Sequence, residues 1–201
     1  MIKAGIFDVG GVLHTNEIAH VHDDIVKTLG ITHDAFEKAA NRFLTSLQTG
    51  KITEQTFWEE IIHDTQAPGK LPNESLYGRE FKKRLTLHAD VFTLLHRLKG
   101  SGYKLAVLST TIQPHVDILK KKHLFTNFDV HVFSTDVALV KPDPAIYRYA
   151  LNQLNVKPEE TFFVDDLQEN IQAANKLGIH GILFKDIDGL KQRLLALNVA
   201  I

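Results

Sequence analysis

Four short stretches hold the residues able to do chemistry. Asp8 is followed by Gly10 and Gly11, and Ser109 by Thr110 and Thr111; Lys141 precedes Pro142 and Asp143, and Asp165 and Asp166 are adjacent. Asp8, Ser109 and Asp165 each close a short apolar run, the pattern of a buried strand at its carboxyl end. Open parallel α/β sheets bind ligands outside those ends, so residues far apart in sequence are expected on one rim. Three carboxylates at one edge repel one another unless a cation sits among them. Magnesium suits such a set, because it takes a few oxygen ligands and leaves its other positions to water and phosphate. Lys141 and the hydroxyls suit the oxygens of a phosphate.

The elements that must position these residues follow from periodicity and punctuation. Ile2–Phe7 reads as a strand stopped by the Gly10–Gly11 loop. From Asn16 to about His88 the pattern is helical. Asn16 is expected to cap a helix to about Leu29 ended by Gly30, and a second runs from about Asp34 to Leu47. Thr53 is expected to cap a third through Ile62, and Asn73 a fourth through about Leu85. After Asp90, helices alternate with strands at Lys104–Leu108, about Asp129–Phe133, Thr161–Val164 and Ile179–Phe184. The fold class is therefore α/β, a Rossmann-like parallel sheet covered on both faces. The first strand shares that sheet only if the helical block is inserted between strands one and two.

Composition narrows the function classes. The chain has 201 residues, 44% of them hydrophobic and 23% charged, enough for one sizeable core with a small addition. Its 23 Lys and Arg against 24 Asp and Glu offer no general field for nucleic acid or an anionic membrane. No cysteine is present, which excludes disulfides, thiolate zinc sites and cysteine nucleophiles. No run approaches the roughly 18 apolar residues of a membrane span, and no signal peptide is visible. A cytoplasmic protein without nucleic-acid or membrane partners is expected, as monomer or homodimer. Eleven histidines raise the question of a histidine metal site. None shows His-x-x-x-His helical spacing, and His20 and His22 point to different faces of their helix. His14 and His20, just after the first loop, are instead candidates to face substrate.

On these motifs the chain resembles the haloacid dehalogenase-like superfamily, in its phosphatase branch. Phe7-Asp8-Val9-Gly10-Gly11-Val12-Leu13 matches the first motif and Leu108-Ser109-Thr110 the second. Lys141-Pro142-Asp143-Pro144 matches the third, and Phe163-Val164-Asp165-Asp166, with Asn170 downstream, the fourth. The resemblance implies a core domain of residues 1–14 and 89–201 and an inserted helical cap of 15–88. It implies a magnesium-dependent phosphatase, a phosphoric monoester hydrolase acting on a small phosphorylated metabolite. Asp8 would be the nucleophile that forms an aspartyl-phosphate. The metal set would be Asp8, the Gly10 carbonyl, Asp165 and Asp166. Ser109 and Lys141 would serve the phosphoryl group as catalytic residues, with Gly11, Thr110, His14 and His20 on the substrate side. Asn170 is expected to fix the fourth loop.

Two positions depart from the family pattern. The usual general acid/base is an aspartate two residues after the nucleophile, where this chain has Gly10. That help is typically worth about 10²–10⁴-fold, so its loss is expected to slow turnover and to favour good leaving groups such as acyl or anomeric sugar phosphates. The Asp-x-Gly-Gly variant is similar to that of small sugar-phosphate phosphatases and of the N-terminal phosphatase domain of epoxide hydrolases. Thr110 stands where the pattern usually has Asn. The alternatives are a catalytically weak or inactive binding protein, motivated by Gly10, and a haloacid dehalogenase, against which the acidic pair Asp165–Asp166 speaks.

Overall fold

The computed structural model describes the backbone of residues 1–15 and 18–201 and the side chains of residues 1–15 and 21–201. Among these residues five strands form one wholly parallel sheet. They are β1 (Ala4–Phe7), β2 (Lys104–Ser109), β3 (Val130–Phe133), β4 (Thr161–Asp165) and β5 (His180–Leu183), in the order β3-β2-β1-β4-β5. β1 is central, with Phe7 level with Val107 on one side and Val164 on the other. The residues that follow, Asp8, Leu108–Ser109 and Asp165, therefore emerge side by side.

The strands carry near-continuous apolar runs because both faces are covered. Phe7, Leu105, Val107, Phe162 and Val164 face one cluster, built with α5 (Ala89–Gly100), α6 (Gln113–Lys121) and α10 (Ile187–Ala196). Ile6, Ala106, Leu108 and Phe163 face the other, built with α8 (Pro144–Leu154) and α9 (Gln168–Lys176). The alternation is the period of two that a pleated strand imposes.

Between β1 and β2 lie α1 (Ile18–Leu29), α2 (His33–Gln48), α3 (Glu54–Thr65) and α4 (Leu76–Arg84). They bury a third cluster of their own, around Phe36, Phe57, Trp58 and Tyr77, which Ile112 joins from the loop after β2. The chain enters and leaves this block side by side. Thr15 N donates to Thr86 O at 2.9 Å and His88 N to Leu13 O at 2.9 Å, and His14 bridges to both Gly10 and Leu87.

Several boundaries differ from expectation. The Asn16 cap lies outside the described residues. α4 begins later than the Asn73 cap implies, because Ser75 caps it, its Oγ accepting from Gly78 N at 2.7 Å. Thr32 caps α2, and Thr53 caps α3 as expected. A four-residue helix not anticipated, α7 (Ser134–Val137), follows β3. Its Ser134 Oγ accepts from Thr111 N at 3.0 Å, which ties the loop after β2 to the end of β3.

Candidate active site

The sheet brings four charged side chains into contact at the end of its central strand. Lys141 Nζ lies 2.8 Å from Asp8 Oδ1 and 2.6 Å from Asp165 Oδ2. One carboxylate oxygen each from Asp8, Asp165 and Asp166 falls within 4.8 Å of the others. Asp8 is 7% exposed, and Asp165 is fully buried.

Backbone and neighbours hold each group. Asp8 N donates to Val164 O at 2.9 Å, which sets β1 against β4. Asp165 Oδ1 accepts from Leu167 N at 2.9 Å and from Asn170 Nδ2 at 3.0 Å, so both its oxygens serve protein donors. Asn170 thus fixes the fourth loop. Lys141 N donates to Thr110 Oγ1 at 2.9 Å, so Thr110 positions the lysine backbone. α8 starts just beyond, with Asp143 accepting from Ala145 N at 2.8 Å. Gly11 is required by close approach. Its φ is +73°, and a Cβ there would lie 2.1 Å from Asp166 Oδ2. A Cβ on Gly10 would meet nothing within 4 Å.

The electrostatics follow from burial. Desolvation pushes the Asp8 carboxyl up to about 7; Lys141 opposes the rise and Asp165 adds to it. Burial works against the Lys141 charge, but Asp8 and Asp165 outweigh it and hold the ammonium above the usual lysine range. Two like charges about 4 Å apart repel by about 4 kcal/mol near a protein surface. One ammonium is thus shared between two of the cluster's three carboxylates, Asp8 and Asp165.

A cavity of about 220 Å³ opens beside this cluster, between the sheet's edge and the helical block. Val9, Gly10, Ser109 and Thr110 form its floor, and His14, Tyr77, Phe81 and His115 are in its wall. His14 Nδ1 lies 2.7 Å from Thr15 O and its ring stands edge-on to Phe81; burial holds its pKa below the usual histidine value. The His20 side chain lies outside the described residues. His115 was not singled out from the sequence, although it sits in the first turn of the helix that follows the second motif. Burial pushes its pKa down to about 3, so it is neutral.

The geometry agrees with comparisons to known proteins. Residues 2–178 match the haloacid dehalogenase-like hydrolase family. Sesquiterpene phosphatase astK of Aspergillus oryzae is 29% identical, over 92% of this chain and 90% of its own length. Protein CbbY of Cereibacter sphaeroides is 30% identical, over 91% of this chain and 84% of its own. A HAD family enzyme of Bacteroides thetaiotaomicron, solved with magnesium and inorganic phosphate, superposes with a TM-score of 0.77 at 22% identity, covering 92% of this chain and 95% of that one. With its sheet, its motifs and its relatives in accord, the chain belongs to the haloacid dehalogenase-like hydrolases.

Proposed function

We propose that this hydrolase is a magnesium-dependent phosphatase acting on a small phosphorylated metabolite, with Asp8 as nucleophile and residues 15–88 as its cap. The observation that carries the reading is the buried cluster in which Lys141 binds Asp8 and Asp165 while Asp166 lies within reach of both carboxylates. The phosphatase relative and the magnesium and phosphate held by a neighbour of the same fold support it.

The donor set fits magnesium, a hard cation that prefers oxygen ligands. The Asp8 and Asp166 carboxylates and the Gly10 carbonyl would hold it. Asp165, whose oxygens already serve Leu167, Asn170 and Lys141, is the supporting member. When bound, the ion screens the like charges of carboxylate and phosphate and stabilises the phosphoryl oxygens.

Asp8 attacks phosphorus through a carboxylate oxygen, and the bond from phosphorus to the organic oxygen breaks. Water then cleaves the aspartyl-phosphate, releasing phosphate and restoring Asp8. Lys141 keeps Asp8 oriented and offsets charge on the phosphoryl group, which Ser109 hydrogen-bonds. Gly10 has no side chain to protonate the leaving oxygen, so leaving groups that depart unprotonated turn over fastest.

The test is phosphate release from acetyl phosphate, para-nitrophenyl phosphate and glucose 1-phosphate, with magnesium and with a chelator. Acid-quenched enzyme should carry one phosphoryl group on the peptide containing Asp8. Release from none of the three, or release indifferent to the chelator, overturns the reading.

A further inference from the structure

The cavity beside Asp8 has a wall unlike that of a sugar site. Most of the surface it exposes is apolar, with Val21, Leu44, Phe81, Leu85 and Leu119 among its lining, although Gln48 and the hydroxyl residues Ser109, Thr110 and Thr111 also reach it. Among the described residues its one full charge is occupied: Arg84 Nη1 donates to Glu80 Oε2 at 2.8 Å and its other terminal nitrogen bonds Asp24. The Tyr77 hydroxyl lies 3.5 Å from His22 Nε2, and His14 Nδ1 lies 2.7 Å from Thr15 O. Among the described residues, the buried side-chain polar atoms of this wall left without a partner are Thr15 Oγ1 and His115 Nε2. His115 stacks on Phe81 with ring centroids 4.1 Å apart and is uncharged.

A surface that is mostly carbon favours a hydrocarbon over a group rich in hydroxyls. A hexose would bring several hydroxyls, and each one left unpaired costs about tenfold or more in affinity. A second phosphate or a carboxylate would find no unpaired cation among the described wall residues. At about 220 Å³ the space is also below the roughly 300–1,000 Å³ of drug-sized sites, so the occupant is compact.

Resting on the phosphatase reading above, we propose that the organic part of the substrate is a compact, uncharged, mainly apolar group seated in this cavity, with its phosphate on Asp8. This separates the protein from the sugar-phosphate class that its first motif suggests. Gly10 adds a second constraint, since an apolar group whose oxygen leaves without a proton, as in an acyl or aryl phosphate, suits both ends of the site.

A series of acyl phosphates tests this, because acetyl, butanoyl and hexanoyl phosphate share a leaving group and differ only in apolar length. Above the uncatalysed rate, kcat/KM is expected to rise by about fourfold per methylene buried, the equivalent of about 0.8 kcal/mol. The rise should continue until the cavity is full, and glucose 1-phosphate should fall below all three. Two substitutions one helical turn apart in α2 bend the slope in opposite directions. Leu44→Gln should flatten it and Gln48→Leu should steepen it, since both residues line the cavity. A flat or falling series in the unmodified protein, or preference for glucose 1-phosphate, overturns the inference while leaving the phosphatase intact. Release from no substrate at all, by contrast, is the failure of the phosphatase reading itself.

Discussion

The rim of the sheet and the chamber above it solve opposite electrostatic problems a few residues apart. At the rim, Asp8, Asp165, Asp166 and Lys141 crowd charge into a space from which water is largely excluded. In the chamber the one arginine is neutralised by Glu80 and Asp24, and His115 is kept uncharged by burial. Chemistry on a phosphoryl group needs preorganised charge where charge develops. Choice of an organic group needs a wall that penalises the wrong polarity. Each region should therefore fail in its own way when perturbed.

The largest effect is expected at Asp8, the proposed nucleophile. Asp8→Asn keeps the side chain's shape and removes its capacity to form the phosphoenzyme, so kcat should fall by about 10⁴-fold or more. Circular dichroism and the melting transition should stay close to the parent's. Wild-type turnover of para-nitrophenyl phosphate by this variant would remove Asp8 from the mechanism.

Lys141→Met comes next and strikes only the rim. It leaves Asp8 and Asp165 without their shared ammonium, and breaking one partner of a buried ion pair typically costs about 3–5 kcal/mol. Denaturant unfolding without metal should show that loss, and millimolar magnesium should recover part of it. Turnover should drop by about 10²–10³-fold. Unchanged stability with the metal removed would mean that the cluster is not held by Lys141.

Gly10 and Gly11 are neighbours with opposite tolerances, and the pair sharpens the comparison. Gly10 is not among the glycines at positive φ, and a Cβ there has open space, so Gly10→Asp should fold. It restores a carboxyl facing the chamber floor and should raise kcat on alkyl phosphates by about 10²-fold, with little gain on acyl phosphates. Equal gains on both would show that leaving-group protonation is not what Gly10 lacks. Gly11→Ala should instead disrupt the site, because its Cβ would collide with Asp166.

Rim and chamber also differ in how far the sequence discloses them. Asp8, Ser109 and Asp165 are legible because a strand buried on both faces reads as an unbroken apolar run, and the residue ending it lands at a known edge of the sheet. Lys141 is legible through its motif, and its ammonium lies against Asp8 and Asp165. The chamber is not legible. Leu44, Phe81 and His115 come from three separate helices, and each looks like a core residue of its own helix until tertiary packing leaves a gap between them. Local competition hid smaller features as well. Asn73 and Ser75 are both good caps, and the tertiary bond from Tyr77 N to Glu54 Oε1 joins the Ser75 cap in marking where α4 settles. α9 starts at Gln168, with Leu167 as an N-cap that offers no side-chain bond.

The smallest expected effect lies in the chamber's support, at Glu80. This carboxylate is fully buried and takes bonds from Arg79 at 2.8 Å, Lys83 at 2.9 Å and Arg84 at 2.8 Å. Burial pushes its pKa up, but the bonds from Lys83, Arg84 and Arg79 prevail and hold it at about 2, below the ordinary 4.5. A depressed folded value means that the unfolded chain binds the proton more readily. The stabilisation is thus complete above about pH 4.5 and is lost as pH falls from there toward 2. Glu80→Gln should cost about 1.5–3 kcal/mol at neutral pH, toward the lower figure because Lys83 is half-exposed. It should also flatten the fall in melting temperature over that acid range. Because Arg84 then keeps Asp24 as its carboxylate partner, the variant places a less neutralised cation beside the apolar wall. Its preference for hexanoyl over acetyl phosphate should shrink more than its turnover of acetyl phosphate does. A loss of stability with no change in that preference would show that the charge of Arg84 does not reach the chamber.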